Sequence, residues 1–196
     1  VDQKSAISFI ENYASSASEA VASVAKHAEL LSELIDRLVE CVQAGNRIYS
    51  CGNGGSACDS MHLTEELVAR YLRERPGIAA HHLQDAGTIT CWSNDYEYET
   101  AFKRQVETLV RDGDFFFAFS TSGNSKNVCL ALEAAKKQNA GTVLLSGGTG
   151  GAARSHADFS IIIDSSTTSH VQEAHITLVH IICDLLEQKL FFDSPS

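Results

Sequence analysis

A doubly wound α/β domain, with a parallel five-stranded sheet and an N-terminal helical arm, is the fold class the sequence predicts. Three observations carry that expectation. An unbroken apolar seam covers residues 7–42, five short apolar runs alternate with helical stretches beyond Gly45, and two of those runs end in loops of Gly and Ser. A chain of 196 residues can bury a real core. Its 44% hydrophobic content and only two prolines are globular and leave little room for disorder. Fifteen basic against 25 acidic side chains, a net charge of −10, argue against a nucleic-acid partner, since phosphate backbones are bound by clustered Lys and Arg. No apolar run approaches the ~20 residues that span a bilayer, and the start, VDQKSAISF, is too polar for a signal peptide. Six cysteines (Cys41, Cys51, Cys58, Cys91, Cys129, Cys183) form no C-x-x-C pair and read as reduced thiols of a cytoplasmic protein.

The arm comes first. Ile7, Ile10, Ala14, Ala17, Val21, Val24, Ala28, Leu31, Ile35, Leu38 and Val42 step by three and four without a miss, the pattern of a packed helical seam. Neither Gly nor Pro interrupts residues 1–44, and Gly45 is a suitable stop. One straight helix over this seam would run ~54 Å, longer than the roughly 40 Å breadth of a domain this size. The arm is therefore expected to fold back near residues 26–29 as a core-facing pair, or to pack on another copy. The chain divides into this arm, 1–44, and an α/β domain, 45–196, read together as one compact unit.

Beyond Gly45, strands are expected at 47–51, 79–83, 115–119, 142–146 and 159–163. Helices are expected at 56–71, 97–110, 125–138 and 170–190. Such alternation produces a parallel sheet covered on both faces, and ligands bind beyond the carboxyl ends of its strands.

Two loops at those ends suit a phosphorylated ligand. In SCGNGGSACDS, residues 50–60, three glycines permit close backbone approach, Ser56 is placed to cap the next helix, and the helix N-terminus faces an anion. Gly52-x-Gly54-x-x-Ala57 also fits a loose dinucleotide fingerprint, but the acidic residue expected ~20 positions on has no counterpart, Asp85 coming too late. No Gly-Lys-Ser/Thr follows, so a Walker loop is excluded. A glycine turn chosen only for tightness is the plain alternative. The second loop, STSGNS at 120–125, offers four hydroxyls as a neutral cradle for phosphate or sugar oxygens, with a simple helix cap as its alternative. SGGTGG at 146–151 is a third turn whose role the sequence leaves open.

The ionisable residues suggest proton transfer and a metal. His62 and Glu66 stand four apart on one helical face, a spacing that serves a divalent metal or a proton shuttle, or merely a surface contact. The last helix adds Gln172, Glu173, His175 and His180, among which helical angle alone does not choose.

Taken in order, CGNGGSACDSMHLTEELVARY, SND at 93–95, STSGNS and QEAHITLVH at 172–180 resemble the phosphoheptose isomerases of the sugar isomerase (SIS) fold, over nearly the whole chain. The resemblance implies conversion of sedoheptulose 7-phosphate to D-glycero-D-manno-heptose 7-phosphate, an early step toward ADP-heptose and the lipopolysaccharide core. It also implies a cytoplasmic homotetramer with sites at subunit contacts and one zinc per subunit; a ligand set of N and O atoms without thiolate holds zinc less tightly than a cysteine site, so sub-stoichiometric occupancy is expected. Zinc ligands would be His62, Glu66, Gln172 and His180. Substrate contacts would be Asn53, Gly54, Gly55, Glu66, Asn94, Asp95, Ser120, Thr121, Ser122, Ser125 and Gln172. Glu66 and His180 would be the catalytic acid–base pair of an enediol mechanism. It is the resemblance that selects Gln172 over Glu173. One departure stands out: where the family commonly has Thr-x-Arg-Ile-Gln, this chain reads Thr168-Ser169-His170-Val171-Gln172. A non-catalytic SIS-fold tetramer that binds the bacterial replication initiator is the alternative, and such proteins typically lack the equivalents of Glu66 and His180.

Overall fold

Five apolar runs become five strands in the computed structural model, which describes residues 2–192; the ends of the 1–44 and 45–196 units, residue 1 and residues 193–196, lie outside it. β1 (Ile48–Gly52), β2 (Ala80–His82), β3 (Phe115–Ser120), β4 (Gly141–Gly147) and β5 (Phe159–Ile163) pair in the order β2-β1-β3-β4-β5. Every pairing is parallel. The helices are α1 (Gln3–Ala22), α2 (Ala28–Gln43), α3 (Gly55–Val68), α4 (Ala86–Asp95), α5 (Ala101–Leu109), α6 (Lys126–Lys137) and α7 (Thr168–Glu187).

Side chains alternate across the sheet, so the phenylalanine run of β3 feeds two cores at once. Phe115, Phe117 and Phe119 pack with Leu34, Leu38, Leu63, Leu178 and Ile182 from α2, α3 and α7. Phe116 and Ala118 pack with Phe102, Val106, Val128 and Leu132 from α5 and α6. Burying one such aromatic stabilises the fold by about 1.5–3 kcal/mol, which is why a run of them makes a central strand. Because β1 lies between β2 and β3, the crossovers leave it toward opposite edges. The crevice of a doubly wound sheet opens at that switch point, beyond the ends of β1 and β3, and the two loops singled out by sequence follow β1 and β3.

The arm divides where its length required. A 3-10 turn at Ser23–His27 separates α1 from α2. Leu31, Leu34, Ile35 and Leu38 of α2 are buried, whereas α1 buries only Ala20 and leaves Ile7, Phe9 and Ile10 at 49, 67 and 64% exposure. Half of the seam is thus core and half is open apolar surface. Tyr13 ties α1 to the start of α7: its hydroxyl donates to Glu173 Oε1 (3.0 Å), and its ring meets that of His170 at 4.4 Å. His170, buried and bonded to Glu173 Oε2 at 3.1 Å, is therefore an arm contact within this chain.

Three helix boundaries differ from expectation. The helix expected at 97–110 is a 3-10 turn at Tyr98–Thr100 followed by α5, and α4 precedes it unannounced. The Ala-Gly-Thr-Ile-Thr composition of α4 is poor in helix formers, but Asp85 caps it by accepting from Thr88 N at 2.6 Å. The helix expected at 56–71 starts at Gly55 and stops at Val68, because other donors take its last carbonyls: Arg75 Nη2 reaches Glu66 O (2.7 Å), Arg75 Nη1 reaches Leu67 O (2.8 Å), and Ile78 N reaches Leu67 O (2.9 Å). Tyr71 consequently lies in the loop beyond α3. The last helix runs Thr168–Glu187, two residues earlier at its start than the 170–190 expected, with a π-helical turn at Gln188–Phe192 beyond it.

Candidate active site

The loop after β1 is shaped by close approach and by amides. A Cβ on Gly52 would lie 2.3 Å from the Ser56 carbonyl oxygen, and Gly54 adopts φ +56°, so neither position tolerates a side chain without strain. Asn53 and Asn127 exchange two amide hydrogen bonds of 2.9 Å each, joining this loop to the first turn of α6. Tyr98 donates its hydroxyl to Asn53 Oδ1 at 2.7 Å, and Gln84 Nε2 donates to Gly52 O at 2.9 Å. Ser56 is not the cap expected of it: Gly54 holds that place, and Ser56 is buried in the first turn.

The loop after β3 is held by the SGGTGG turn, which answers what that turn is for. Ser146 Oγ donates to Ser120 O (2.6 Å), Gly147 N to Thr121 O (3.0 Å), Ala153 N to Gly123 O (2.9 Å) and Ala152 N to Asn124 Oδ1 (3.1 Å). Gly123, at φ +65°, passes so close to Gly150 that an added Cβ would sit 1.9 Å from its carbonyl oxygen. Ser125 occupies the cap position of α6 without a capping bond and instead accepts from Ser120 Oγ at 3.4 Å. The hydroxyls of Ser122 and Thr121 stand on the same short turn, Ser122 exposed and accepting from Asn124 N at 3.1 Å. Asn94 and Asp95 end α4, both exposed and bonded to each other at 2.9 Å. Three residues beyond Asp95, Tyr98 reaches the glycine loop at Asn53. Neither Tyr98 nor Asn127 was legible as a site residue in the sequence, because the contacts cross 45 and 74 residues.

The third feature is a donor trio. His62 Nε2 lies 3.1 Å from Glu66 Oε1 on α3, and His180 of α7 brings its ring centroid to 5.3 Å from that of His62. One ligand atom from each of His62, Glu66 and His180 falls within 4.8 Å of the others, all three half-buried. Two imidazole nitrogens and one carboxylate oxygen so placed suit zinc with an open fourth position. Gln172 stands elsewhere. It is two turns from His180, ~12 Å along the helix, and its amide packs on Gly55, where an added Cβ would meet Nε2 at 2.5 Å. Within one chain the Gln172 amide thus lies against the glycine loop.

Beneath the loops lies a buried pair. His175 is fully buried with neither ring nitrogen hydrogen-bonded, and Asp59 Oδ2, 3.9 Å from His175 Nδ1, is also unpartnered. Burial pulls the His175 pKa down to about 4, and burial pushes Asp59 up to about 6 against the pull of His62. The linkage signs oppose each other. Between pH ~4 and ~6 the unfolded chain loses the Asp59 proton that the folded chain keeps, so this group lowers stability as pH rises. His175 remains neutral when folded while the unfolded chain protonates near pH 6.5, so it lowers stability as pH falls toward 4. Asp59→Asn removes only the first effect. Its stability relative to the parent should improve by about 2–3 kcal/mol between pH 4 and pH 8, measured by urea titration at each pH; a pH-independent difference would contradict the assignment.

A parallel doubly wound sheet with glycine and hydroxyl loops at its switch point, beside a His/Glu/His trio, defines a SIS-domain protein, and the SIS domain family matches residues 12–147. A phosphoheptose isomerase of Trichlorobacter lovleyi is 46% identical over 162 residues, 82% of this chain and 83% of that protein. One from Akkermansia muciniphila is 42% identical over 88% of this chain and 90% of its own length. The structure of a phosphoheptose isomerase from Francisella tularensis superposes with a TM-score of 0.89 at 30% identity, covering 93% of this chain and 98% of that one. The chain belongs to the phosphoheptose isomerase family, and it is a phosphosugar isomerase.

Proposed function

We propose that this enzyme interconverts sedoheptulose 7-phosphate and D-glycero-D-manno-heptose 7-phosphate, in the cytoplasm, at an early step toward ADP-heptose and the lipopolysaccharide core. The observation that carries the mechanism is the convergence of Glu66 and His180 from different helices on one half-buried point. Aldose–ketose isomerisation moves a proton between neighbouring carbons through an enediol, which requires an acid, a base and a stabilised oxyanion. Glu66 and His180 fill the first two roles. The 120–125 loop, with Ser120, Thr121, Ser122 and Ser125, holds the phosphate, and Asn53, Gly54, Gly55, Asn94, Asp95 and Gln172 bind the sugar. His62, Glu66 and His180 would hold zinc, which supplies Lewis-acid polarisation of a substrate oxygen when bound, although ligation and proton transfer are competing jobs for the same atoms of Glu66 and His180. Incubation of pure protein with sedoheptulose 7-phosphate, followed by NMR, tests the reading. No turnover with or without zinc overturns it.

The donor set carries no thiolate, so zinc should bind less tightly than at a cysteine site. Sub-stoichiometric zinc on purification, activity lost to chelator and activity restored by metal are the expected results. Full activity in metal-free protein would remove zinc from the reaction while leaving the acid–base pair in place.

The exposed apolar positions of α1 support a homotetramer, with the arm as its main contact. Light scattering should give a tetramer for the whole chain; a monodisperse monomer contradicts this. Among the described residues no helix is long and apolar enough to cross a membrane.

A further inference from the structure

A histidine that must present one nitrogen to a metal or a substrate needs its ring plane fixed, and the usual device is a hydrogen bond to its other nitrogen. His62 has at least a polar neighbour, its Nε2 lying 3.1 Å from Glu66 Oε1, a fellow member of the donor trio. No side chain or carbonyl among the described residues hydrogen-bonds the imidazole of His180. Two rings touch it instead. His62 meets it edge-on, and Tyr71 lies flat against it, with centroids 5.4 Å apart and planes inclined by 17°. That separation is within the range of offset stacking.

The stacking partner is itself anchored. Tyr71 N donates to Glu187 Oε1 at 2.8 Å, and Leu72 N and Arg73 N donate to Glu187 Oε2 at 3.3 and 3.1 Å. Glu187 is fully buried at the end of α7, two turns beyond His180, and Arg75 Nε closes its remaining bond at 3.0 Å. The loop carrying Tyr71 is therefore fastened to the same helix that carries His180. The Tyr71 hydroxyl makes no hydrogen bond among the described residues, so the ring face is what remains for this side chain to contribute.

We propose that Tyr71 is a positioning residue for His180: its ring, fastened by Glu187, sets the plane of the imidazole toward His62 and Glu66. This rests on the acid–base and metal reading of His180 given above. Tyr71→Phe keeps the ring and should keep kcat within about twofold. Tyr71→Leu keeps apolar cover without a flat face. It should lower kcat and weaken Co²⁺ binding, followed by visible absorption in metal-free protein, by about tenfold or more, the usual weight of an orienting partner. KM should change less than threefold, because among the described residues no hydrogen bond or ring contact joins Tyr71 to the 52–55 or 120–125 loops. Should leucine prevent folding, Tyr71→Met serves the same comparison. Parental kcat and Co²⁺ affinity in either variant overturn the proposal, as does a loss in Tyr71→Phe equal to that in Tyr71→Leu, or a loss that follows the unfolded fraction in urea. His180→Gln separates the two readings. If it is inactive while Tyr71→Leu is normal, only the positioning role fails; if it turns over normally, the role of His180 fails and this proposal with it.

Discussion

Glu66→Gln should lower turnover by about 10²–10⁴-fold, the usual weight of a general acid–base group, while substrate affinity changes little. The glutamine keeps the side-chain length and can still meet His62, now 3.1 Å from the carboxylate, but it cannot accept a proton at neutral pH. Binding should persist because the 52–55 and 120–125 loops are built from contacts that Glu66 does not share: the Asn53–Asn127 pair, the Ser146–Ser120 bond and the Gly123–Gly150 approach. Folding should persist because the Glu66 backbone, not its carboxylate, is the fixed point, with its carbonyl accepting from Arg75 Nη2 at 2.7 Å. Loss of metal would imitate loss of the proton acceptor. Turnover is therefore measured with excess zinc, with metal content determined on the same sample. Near-normal turnover at full metal occupancy would show that the proton is moved by another group.

The two halves of this site differed in how far they could be read from sequence. Glycine and serine loops announce themselves because local geometry demands those residue types: Gly54 for its positive φ, Gly52 for its contact with Ser56. The strands were legible for a similar reason, since a run such as Phe-Phe-Phe-Ala-Phe buried on both faces has few other uses. The trio is another matter. His62 and Glu66 share a face by spacing alone, but a helical wheel states an angle and not a neighbour. It could not choose among Gln172, Glu173, His175 and His180, and resemblance made that choice. The packing of α3 against α7 places His180 by the trio, His175 in the core and Gln172 at Gly55. Tyr71 was hidden most thoroughly. Periodicity carried the helix through it, whereas Arg75 ends that helix at Val68 by taking its carbonyls from a position seven residues on.

Arg75→Leu should cost about 3–5 kcal/mol of stability, the usual penalty for stripping one partner from a buried ion pair. Both side chains of the pair are at 0% exposure, with Nε 3.0 Å from Glu187 Oε1. The guanidinium also serves three carbonyls, those of Glu66, Leu67 and Pro76. Leucine would leave those carbonyls without this donor and leave the Glu187 carboxylate with backbone N–H groups and the more exposed Arg73, 3.6 Å away. The pH dependence identifies the carboxylate as the source. Burial raises the Glu187 pKa, but its N–H donors at Tyr71, Arg73 and Leu72 and the Arg75 guanidinium together hold it below the ordinary carboxylate value. In the parent, then, Glu187 contributes stability that is present above the unfolded pKa near 4.3 and lost as pH falls through the folded one. Without Arg75, burial counts for more, the folded pKa rises, and the defect should be largest at neutral pH and shrink on acidification. Adding Glu187→Gln to Arg75→Leu removes the stranded charge and should recover part of the loss, so that the two changes are strongly non-additive. Urea titrations of the parent, both single variants and the double variant at pH 7 and pH 5 measure this directly. Additive losses with no pH dependence would mean that Arg75 acts only by capping α3 and that the ion pair contributes nothing of its own.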